Sequence, residues 1–410
     1  MKKSCLFKKS ALAAMVALAS QQALAAGFQL NSQSATGLGR AFAGDAVIAD
    51  NASVMAKNAA AMALFDEMAL SLGVVSIKTM IEVKDAEYTS AAGSTHSANY
   101  DNAGSTSYAP NLHLIVPVND KFAVGVNAYT NFGTKTEFSD SYVASEFGSS
   151  TDIKSMNLGL AGSYRIGDQW SIGAGLDIIY GQGKMKRATA SGTKLLDIDA
   201  DGWAVGFNLG SVYEMDENNR FGLAYHNSPE LEADGDVYKG GVTYTDDTLM
   251  LPLPDIWELS GYHRIENSKF ALHYSVEWIG WNTFDTLTAK DAGDIKKYNW
   301  QNGMHYSIGG TYYLNNDWTL RAGYMYDTSA QDEITSISVP DSNRNWFSAG
   351  FTYNLTAKSN IDFGFTYLLG KDVEVSETQY FTPDGSVKST LNATTHANAI
   401  LMGLQYSQTF

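Results

Sequence analysis

The chain is poor in cysteine and has no long apolar run after residue 25. Its single cysteine is Cys5, so a chain that begins after the segment 1–25 has no disulfide bond and no thiol chemistry. No later stretch approaches 18 consecutive apolar residues, which excludes transmembrane helices. Any membrane-embedded form of this protein must therefore be built in another way.

Positive charge is also scarce, with 28 Lys and Arg residues against 44 Asp and Glu residues and a formal charge of −16. Four lysines lie in the segment 1–25, so the rest of the chain carries −20. Nucleic-acid binding needs clustered basic residues, and this balance disfavours it. An acidic chain with so little cysteine is typical of a bacterial envelope protein.

The segment 1–25 has the parts of a secretory signal peptide. A basic start, which contains the four lysines, is followed by an apolar region at 10–20 that is too short to span a bilayer as a helix. Ala23-Leu24-Ala25 has the small-residue pattern of a cleavage site. We expect the mature chain to begin at Ala26 and the protein to be exported.

The remaining composition indicates many short strands. The chain has 37 Gly, 23 Tyr, 18 Phe and 8 Trp but only 7 Pro, and its apolar residues alternate with small or polar ones. The segments 170–180, 318–327 and 361–370 each have one apolar face and one small or polar face. In the first of them the apolar face comprises Trp170, Ile172, Ala174, Leu176, Ile178 and Tyr180.

Short polar turns separate the alternating segments in pairs. Six such turns begin at Val118, Ile166, Met215, Ile265, Leu314 and Leu355. An aromatic residue follows five of them closely, which is typical of the aromatic girdle of a membrane barrel. Longer polar segments lie between the turns, near 84–105, 139–150, 191–199, 236–250, 289–297, 331–341 and 376–391.

Six short turns and seven long loops join 14 strands when both ends of the barrel lie on the short-turn side. The last predicted strand ends at Phe410, and a terminal aromatic residue is typical of chains inserted by the outer-membrane assembly machinery. The predicted fold is therefore all-β, a 14-stranded antiparallel transmembrane β-barrel surrounded by outer-membrane lipid. The segment 26–65 is rich in Ala and Gly and does not alternate, so we expect it to be a partly helical plug inside the lumen.

The segment 27–53, GFQLNSQSATGLGRAFAGDAVIADNAS, closely resembles the N-terminal signature of the outer-membrane long-chain fatty-acid transporter family (FadL). The resemblance continues through NLHLIVPVNDKFAVGV, MNLGLAGSYRI and LPLPDIWELSGYHR and covers nearly the whole mature chain. It implies a signal peptide at 1–25, a hatch at 26–65 and a barrel at 66–410. It also implies passive uptake of long-chain fatty acids, with surface capture, a high-affinity internal pocket, hatch movement and lateral release.

The resemblance assigns ligand-binding roles to Phe28, at the acyl chain, and to Arg187 and Lys296, at the carboxylate. A carboxylate that leaves water needs a charged, hydrogen-bonding partner. The alternative roles are a hydrophobic anchor for Phe28 and ordinary rim charges for the two basic residues.

Gating roles are implied for Asn58-Ala59-Ala60, where the family usually has Asn-Pro-Ala, and for Gly133, where the third strand bends. Ala59 neither fixes the backbone nor removes a donor as proline would, so the hatch turn is looser or depends on Asn58 alone. The change could equally be neutral, and Gly133 could be a packing residue only. Loops 188–200 and 236–250 look short for the family, which predicts weaker or altered surface capture.

No cofactor, metal site or enzymatic activity is expected. Gly37, Gly39 and Gly44 lack the strand and Lys-Ser/Thr of a phosphate loop, the seven histidines have no ligand spacing, and no G-x-S-x-G occurs. Alternatives to fatty-acid uptake are aromatic or other hydrophobic cargo, an outer-membrane phospholipase and an open porin. We expect a monomer.

Overall fold

The computed structural model describes residues 27–382 and 384–410. The predicted signal peptide and Ala26 lie outside the described residues. Within these ranges, no helix is long and apolar enough to cross a membrane. The described helices are short: α1 (Ala35–Gly39) and the 3₁₀ helices η1 (Ala52–Ala56), η2 (Ala59–Leu64) and η3 (Trp281–Thr283).

Most of the described residues form strands. In chain order the strands are β1 (Ala69–Thr89), β2 (Thr95–Ser97), β3 (Thr106–Asn119), β4 (Phe122–Tyr129), β5 (Gly133–Glu137), β6 (Ser150–Ile166), β7 (Trp170–Ala188), β8 (Lys194–Glu214), β9 (Asn219–Asn227), β10 (Glu230–Lys239), β11 (Val242–Pro252), β12 (Ile256–Arg264), β13 (Phe270–Ile279), β14 (Thr286–Ala289), β15 (Gly293–Lys297), β16 (Gly303–Tyr313), β17 (Trp318–Asp327), β18 (Arg344–Thr356), β19 (Ser359–Gly370), β20 (Val373–Tyr380) and β21 (Lys388–Thr409).

Fourteen of the strands in the described ranges form one closed antiparallel barrel. Around the barrel the order is β1, β3, β4, β6, β7, β8, β9, β12, β13, β16, β17, β18, β19 and β21. β21 then pairs with β1, with Thr409 opposite Ala69, which closes the sheet. The predicted fold class is confirmed, and closure leaves neither β1 nor β21 as an open edge of the sheet.

The six predicted short turns join β3–β4, β6–β7, β8–β9, β12–β13, β16–β17 and β18–β19. The remaining strands extend the barrel on the long-loop side. Several predicted loops contain strand residues in the structure: residues 194–199 continue β8, residues 236–250 belong largely to the β10–β11 hairpin, and β2, β15 and the end of β20 lie in the predicted loops 84–105, 289–297 and 376–391. The ladders of β8 with β7 and β10 satisfy backbone groups that a loop would leave unpaired.

The barrel wall shows the predicted alternation. Trp170, Ile172 and Leu176 are about half exposed on the outer face of β7, whereas Ser171 and Asp177 are buried on the inner face. Aromatic pairs lie on adjacent strands beside the short turns, with ring centroids 4.6–4.7 Å apart: Trp170–Tyr213, Phe270–Tyr312 and Trp318–Tyr353. These pairs are placed as an interfacial girdle would be.

Residues 27–64 are almost entirely buried and contact the inner face of the wall. Glycines on the wall make room for this backbone. A Cβ atom on Gly173 would lie 2.3 Å from the Ala60 nitrogen, and one on Gly323 would lie 2.1 Å from the Arg40 carbonyl oxygen. We name residues 27–33 the arm and residues 34–65 the hatch body.

Candidate functional site

A cavity of about 820 Å³ lies at the long-loop end of the barrel, and we name it the mouth pocket. Its wall combines apolar residues with charged ones. The apolar residues include Phe147, Met185, Leu196, Ile295 and Phe381, and the charged residues are Glu146, Arg187, Lys194, Lys239, Lys296, Lys297 and Glu377. Such a pocket suits an amphipathic ligand, and its volume is typical of small-molecule sites.

Arg187 lies at the end of β7 and is 7% exposed. Its Nη1 donates to the carbonyl oxygens of Ser150, at 2.8 Å, and Lys186, at 2.5 Å, and its Nη2 donates to Thr151 Oγ1 at 2.9 Å. Among the described residues, no carboxylate forms an ion pair with Arg187. The hydrogen bonds of this guanidinium therefore go to neutral groups, and Glu377 acts on its charge without forming an ion pair.

Lys296 lies on β15 and faces the same pocket as Arg187. Its Nζ donates to Ser336 Oγ at 2.6 Å and Ser338 Oγ at 3.1 Å, and it forms an ion pair with Glu377 Oε2 at 3.1 Å. Burial lowers the pKa of Lys296, and Arg187 also lowers it, whereas Glu377 acts in the opposite direction. The structure thus brings the two predicted basic residues together but gives only Lys296 an acidic partner.

Phe28 is 1% exposed and packs in an aromatic cage. The cage consists of Phe132, Trp281, Phe284, Tyr298 and Trp300. The Phe28 ring centroid lies 4.5 Å from that of Trp281 and 5.3 Å from that of Phe284. Tyr298 connects the cage with the mouth pocket, because Lys296 Nζ lies 5.6 Å from its ring centroid.

Three polar atoms of the cage are buried without a hydrogen-bond partner among the described residues. They are Nε1 of Trp281, Nε1 of Trp300 and the hydroxyl of Tyr298. Buried donors usually find a partner, so this concentration distinguishes the cage from ordinary core packing. The cage can therefore offer hydrogen bonds as well as apolar surface.

Gly133 begins β5 directly after an interruption of the third barrel strand. Tyr129 at the end of β4 pairs with Asn157, whereas Gly133 pairs with Lys154, so this strand has one residue more than β6 across the gap. An extra residue bends a strand. The ladder of β4 with β3 also stops at Tyr129 in the described residues, which leaves β5 apart from β3.

The arm fills this interruption. Leu30 N donates to Asn131 O at 2.8 Å, and Gly133 N donates to Phe28 O at 2.8 Å. Gln29 forms an isolated bridge with Phe132. The structure therefore joins two of the predicted residues, Phe28 and Gly133, by a hydrogen bond that holds the arm to the bent strand.

Asn58, Ala59 and Ala60 lie in the hatch body, against different wall strands. The Asn58 side chain caps η2 by accepting from Ala60 N at 3.0 Å, and its Nδ2 donates to Ala46 O at 2.8 Å and Ser211 O at 3.1 Å. Ala59 is the first residue of η2, a position that proline favours. Among the described residues, Asn58 supplies the side-chain hydrogen bonds at the start of η2, and Arg165 Nη2 donates to Ala63 O near its end at 3.0 Å.

Buried charges that the sequence did not reveal anchor the hatch body. Lys57 Nζ lies 2.6 Å from Glu277 Oε2 and 3.3 Å from Glu258 Oε2. Arg321 of the wall forms a 3.1 Å ion pair with Asp50 of the hatch body. These partners are up to 271 residues apart in sequence, so no local pattern could have found them.

The aromatic cage and Glu377 were also not predicted. The residues WNTF at 281–284 and YNW at 298–300 flank the predicted Lys296 and contain four of the five cage residues. This clustering of aromatic residues was the available signal. Glu377 carried none, because it falls in a segment predicted only as a polar loop.

Three comparisons relate the chain to known proteins. The family model for outer membrane protein transport protein (OMPP1/FadL/TodX) matches residues 16–410. The chain is 36% identical over 426 residues to a long-chain fatty acid transport protein of Escherichia coli O6:H1, covering 92% of this chain and 94% of that one.

The fold is similar to two solved structures. The crystal structure of a Pseudomonas aeruginosa FadL homologue matches with a TM-score of 0.83 at 21% identity, covering 93% of this chain and 99% of that one. The Pseudomonas putida toluene transporter TodX matches with a TM-score of 0.65 at 18% identity, covering 94% and 100%.

Proposed function

Since the chain belongs to the outer membrane protein transport family (OMPP1/FadL/TodX), we propose that it mediates passive, hatch-gated uptake of long-chain fatty acids. Family membership makes it a non-enzymatic outer-membrane β-barrel protein of Gram-negative bacteria that transports hydrophobic compounds. The proposal concerns the cargo, the moving part and the release route.

The observation that carries the choice of cargo is the guanidinium of Arg187. It lines the mouth pocket together with apolar residues and forms no ion pair with a carboxylate among the described residues. A buried cation is stabilised by an anion with good hydrogen-bond geometry, and arginine matches a carboxylate in a bidentate manner. A fatty acid supplies this carboxylate together with an apolar chain for the pocket wall.

The acyl chain gives a reason for gating. Burial of each CH₂ group contributes about 0.8 kcal/mol, so a C16 chain gains on the order of 10 kcal/mol. A ligand held so firmly leaves quickly only when its pocket is remodelled. The arm is suited to this role because Phe28 lies in the cage and its carbonyl oxygen accepts from Gly133 in the bent strand.

Lateral release is supported by the same interruption. Residues 130–132 join β4 to β5, their backbone pairs with the arm, and the ladder between β3 and the third strand is absent there in the described residues. Movement of the arm would open a path between β3 and β5 toward the lipid. This path keeps the acyl chain away from water, whereas a water-filled lumen would not.

The cargo proposal is tested by growth on oleate. Cells that lack their own transporter should grow when given this chain, and palmitate should bind the purified protein. Arg187→Gln should weaken palmitate binding roughly tenfold, since a charged hydrogen bond contributes about 1.5–3 kcal/mol. Lys186→Gln, at an adjacent exposed lysine, is the control that should change little. Correct assembly without growth would refute fatty-acid uptake.

A second candidate cargo is an aromatic compound, and the aromatic cage favours it. The flat rings and three unpartnered donors of the cage are better suited to an aromatic ligand than to a flexible acyl chain. Competition between palmitate and toluene separates the two. Displacement of palmitate by toluene at similar concentrations, with no effect of Arg187→Gln, would favour the aromatic cargo.

A further inference from the structure

Glu377 is a charged residue of the mouth pocket with no role in the function proposed above. It lies on β20, and its side chain is 12% exposed. Its Oε2 accepts from Lys296 Nζ and Ser336 Oγ, each at 3.1 Å, and its Oε1 accepts from Ile337 N at 2.9 Å. Both oxygens of this carboxylate are therefore engaged by other segments of the pocket wall.

The contacts of Glu377 leave Lys296 saturated. An ammonium group has three hydrogens, and the three partners of Lys296 are Ser336, Ser338 and Glu377. A ligand carboxylate can reach Lys296 only by replacing one of these partners. Replacement of a hydroxyl would place two carboxylates against one ammonium, whereas replacement of Glu377 conserves the local charge.

We propose that Glu377 is an internal counter-ion that occupies Lys296 in place of a ligand carboxylate and must be displaced when an anionic amphiphile binds. The inference rests on the proposed function and adds a specificity-determining residue to it. Exchange of one carboxylate for another never leaves the half-buried ammonium unpaired, which would be costly. A neutral ligand cannot carry out this exchange and gains nothing from Lys296.

Arg187 and Lys296 thus have different tasks. Arg187 forms no ion pair among the described residues, although Glu377 also acts on its charge, and it attracts the anionic head group first. Lys296 is released to the ligand only at the cost of its contact with Glu377. Glu377 therefore lowers the affinity for every anionic ligand while leaving the affinity for neutral ligands of the same length unchanged.

The test compares two ligands on the full mature chain in lipid nanodiscs. Palmitate and hexadecanol have the same chain length and differ in the charge of the head group. Glu377→Gln should tighten palmitate binding about tenfold, because it removes the competing charge and keeps a hydrogen-bond acceptor. Hexadecanol binding should stay within about twofold. Equilibrium dialysis with radiolabelled ligand measures both.

Two further variants isolate the contact. Glu374→Gln removes an exposed carboxylate from the same strand and should leave palmitate binding unchanged, which separates the contact from the general charge of the loops. In the background of Lys296→Gln, Glu377→Gln should raise palmitate affinity by much less than it does when Lys296 is present. Where Glu377→Gln does not assemble, Glu377→Ala also removes the charge and should give the same gain.

A purely structural role for Glu377 predicts a different result. Glu377→Gln would then bind both ligands more weakly, or it would bind palmitate with the same affinity as the unchanged protein. Either result overturns the proposal. An equal gain for hexadecanol would also overturn it. If the unchanged protein binds no palmitate, the proposed function fails together with the inference. If it binds palmitate and Glu377→Gln shows no gain, only the inference fails.

Discussion

The arm and the hatch body both lie inside the barrel, but different forces hold them. The hatch body is anchored by the buried ion pair of Lys57 with Glu277 and by a more exposed ion pair of Asp50 with Arg321. The arm forms no ion pair among the described residues and is held by one ring in the aromatic cage and by hydrogen bonds to the bent strand. It also bonds to charged side chains, because Gln29 Nε2 donates to Glu277 Oε1 at 2.8 Å and Asn31 Oδ1 accepts from Lys57 Nζ at 3.3 Å. Ion pairs therefore secure the hatch body, whereas hydrogen bonds and apolar contacts secure the arm.

This difference indicates which part of the hatch can move. Removing one partner of a buried ion pair costs about 3–5 kcal/mol, so charged anchors make the hatch body expensive to displace. A neutral hydrogen bond contributes about 0.5–1.5 kcal/mol net and one to a charged group about 1.5–3 kcal/mol, and a ligand can replace the apolar contacts of the arm. We therefore propose that the arm moves during transport while the hatch body stays in place.

The largest expected effect comes from Lys57→Met in the hatch body. This change leaves Glu277 and Glu258 buried without their cation, so we expect the free energy of unfolding to fall by about 3–5 kcal/mol. Unfolding by guanidinium chloride of the protein in lipid vesicles measures this free energy. Lys121→Met, at an exposed short turn, is the control and should change little. An unchanged unfolding midpoint for Lys57→Met would show that the ion pairs of Lys57 do not stabilise the hatch body.

The second expected effect comes from Phe28→Ala in the arm. Loss of the buried ring should detach the arm without unfolding the barrel, because the hatch body keeps its ion pairs. Hydrogen exchange of the Leu30 amide should accelerate roughly 100-fold, which corresponds to a loss of about 3 kcal/mol of packing free energy.

Hydrogen exchange read by mass spectrometry measures the detachment of the arm. Phe270→Ala removes a ring from the outer face and should leave exchange in the arm unchanged. Faster exchange of the hatch body in Phe28→Ala would show that the two parts are not independent.

A smaller effect is expected for Asn58→Ala. The variant loses the cap of η2 and the side-chain donor to Ala46 O and Ser211 O. Loss of such a cap costs about 0.5–2 kcal/mol. Hydrogen exchange of the Ala60 amide should therefore accelerate by up to about thirtyfold, the factor that corresponds to about 2 kcal/mol. Unchanged protection at Ala60 would mean that the wall alone holds this turn.

The smallest effect is expected for Ala59→Pro, which restores the residue usual in the family. Asn58 has φ −145° and ψ 106°, an extended conformation that a following proline accepts, and Ala59 N makes no hydrogen bond among the described residues. The hatch body should therefore gain about 0.4–1 kcal/mol, seen as slower exchange around η2. Destabilisation would show that the wall near Gly173 excludes the proline ring.

The sequence was sufficient for the barrel because strand alternation and tight turns are local properties. The outer face of β7 and all six short turns lie where the pattern predicts them. Local pattern did not give the full length of β8, because its extension depends on pairing with β7 and β10.

The candidate site was only partly predictable for the same reason. The resemblance led to Arg187, Lys296 and Phe28, whose ligand-binding roles stay predictions. It did not lead to Glu377, since the ion pair with Lys296 joins residues 81 positions apart. Contacts between distant loops, and between the hatch body and the wall, follow from barrel closure and not from neighbouring residues.

Hydrogen exchange with and without palmitate tests the division of the hatch most directly. The Leu30 and Gly133 amides hold the arm to the bent strand, whereas the Gly44 and Ala46 amides bond to Ser275 and Ser260 of the wall. We predict that saturating palmitate reduces protection of the first two amides and leaves the last two unchanged. Equal changes in both pairs, or protection of the arm by palmitate, would contradict a moving arm on a fixed hatch body.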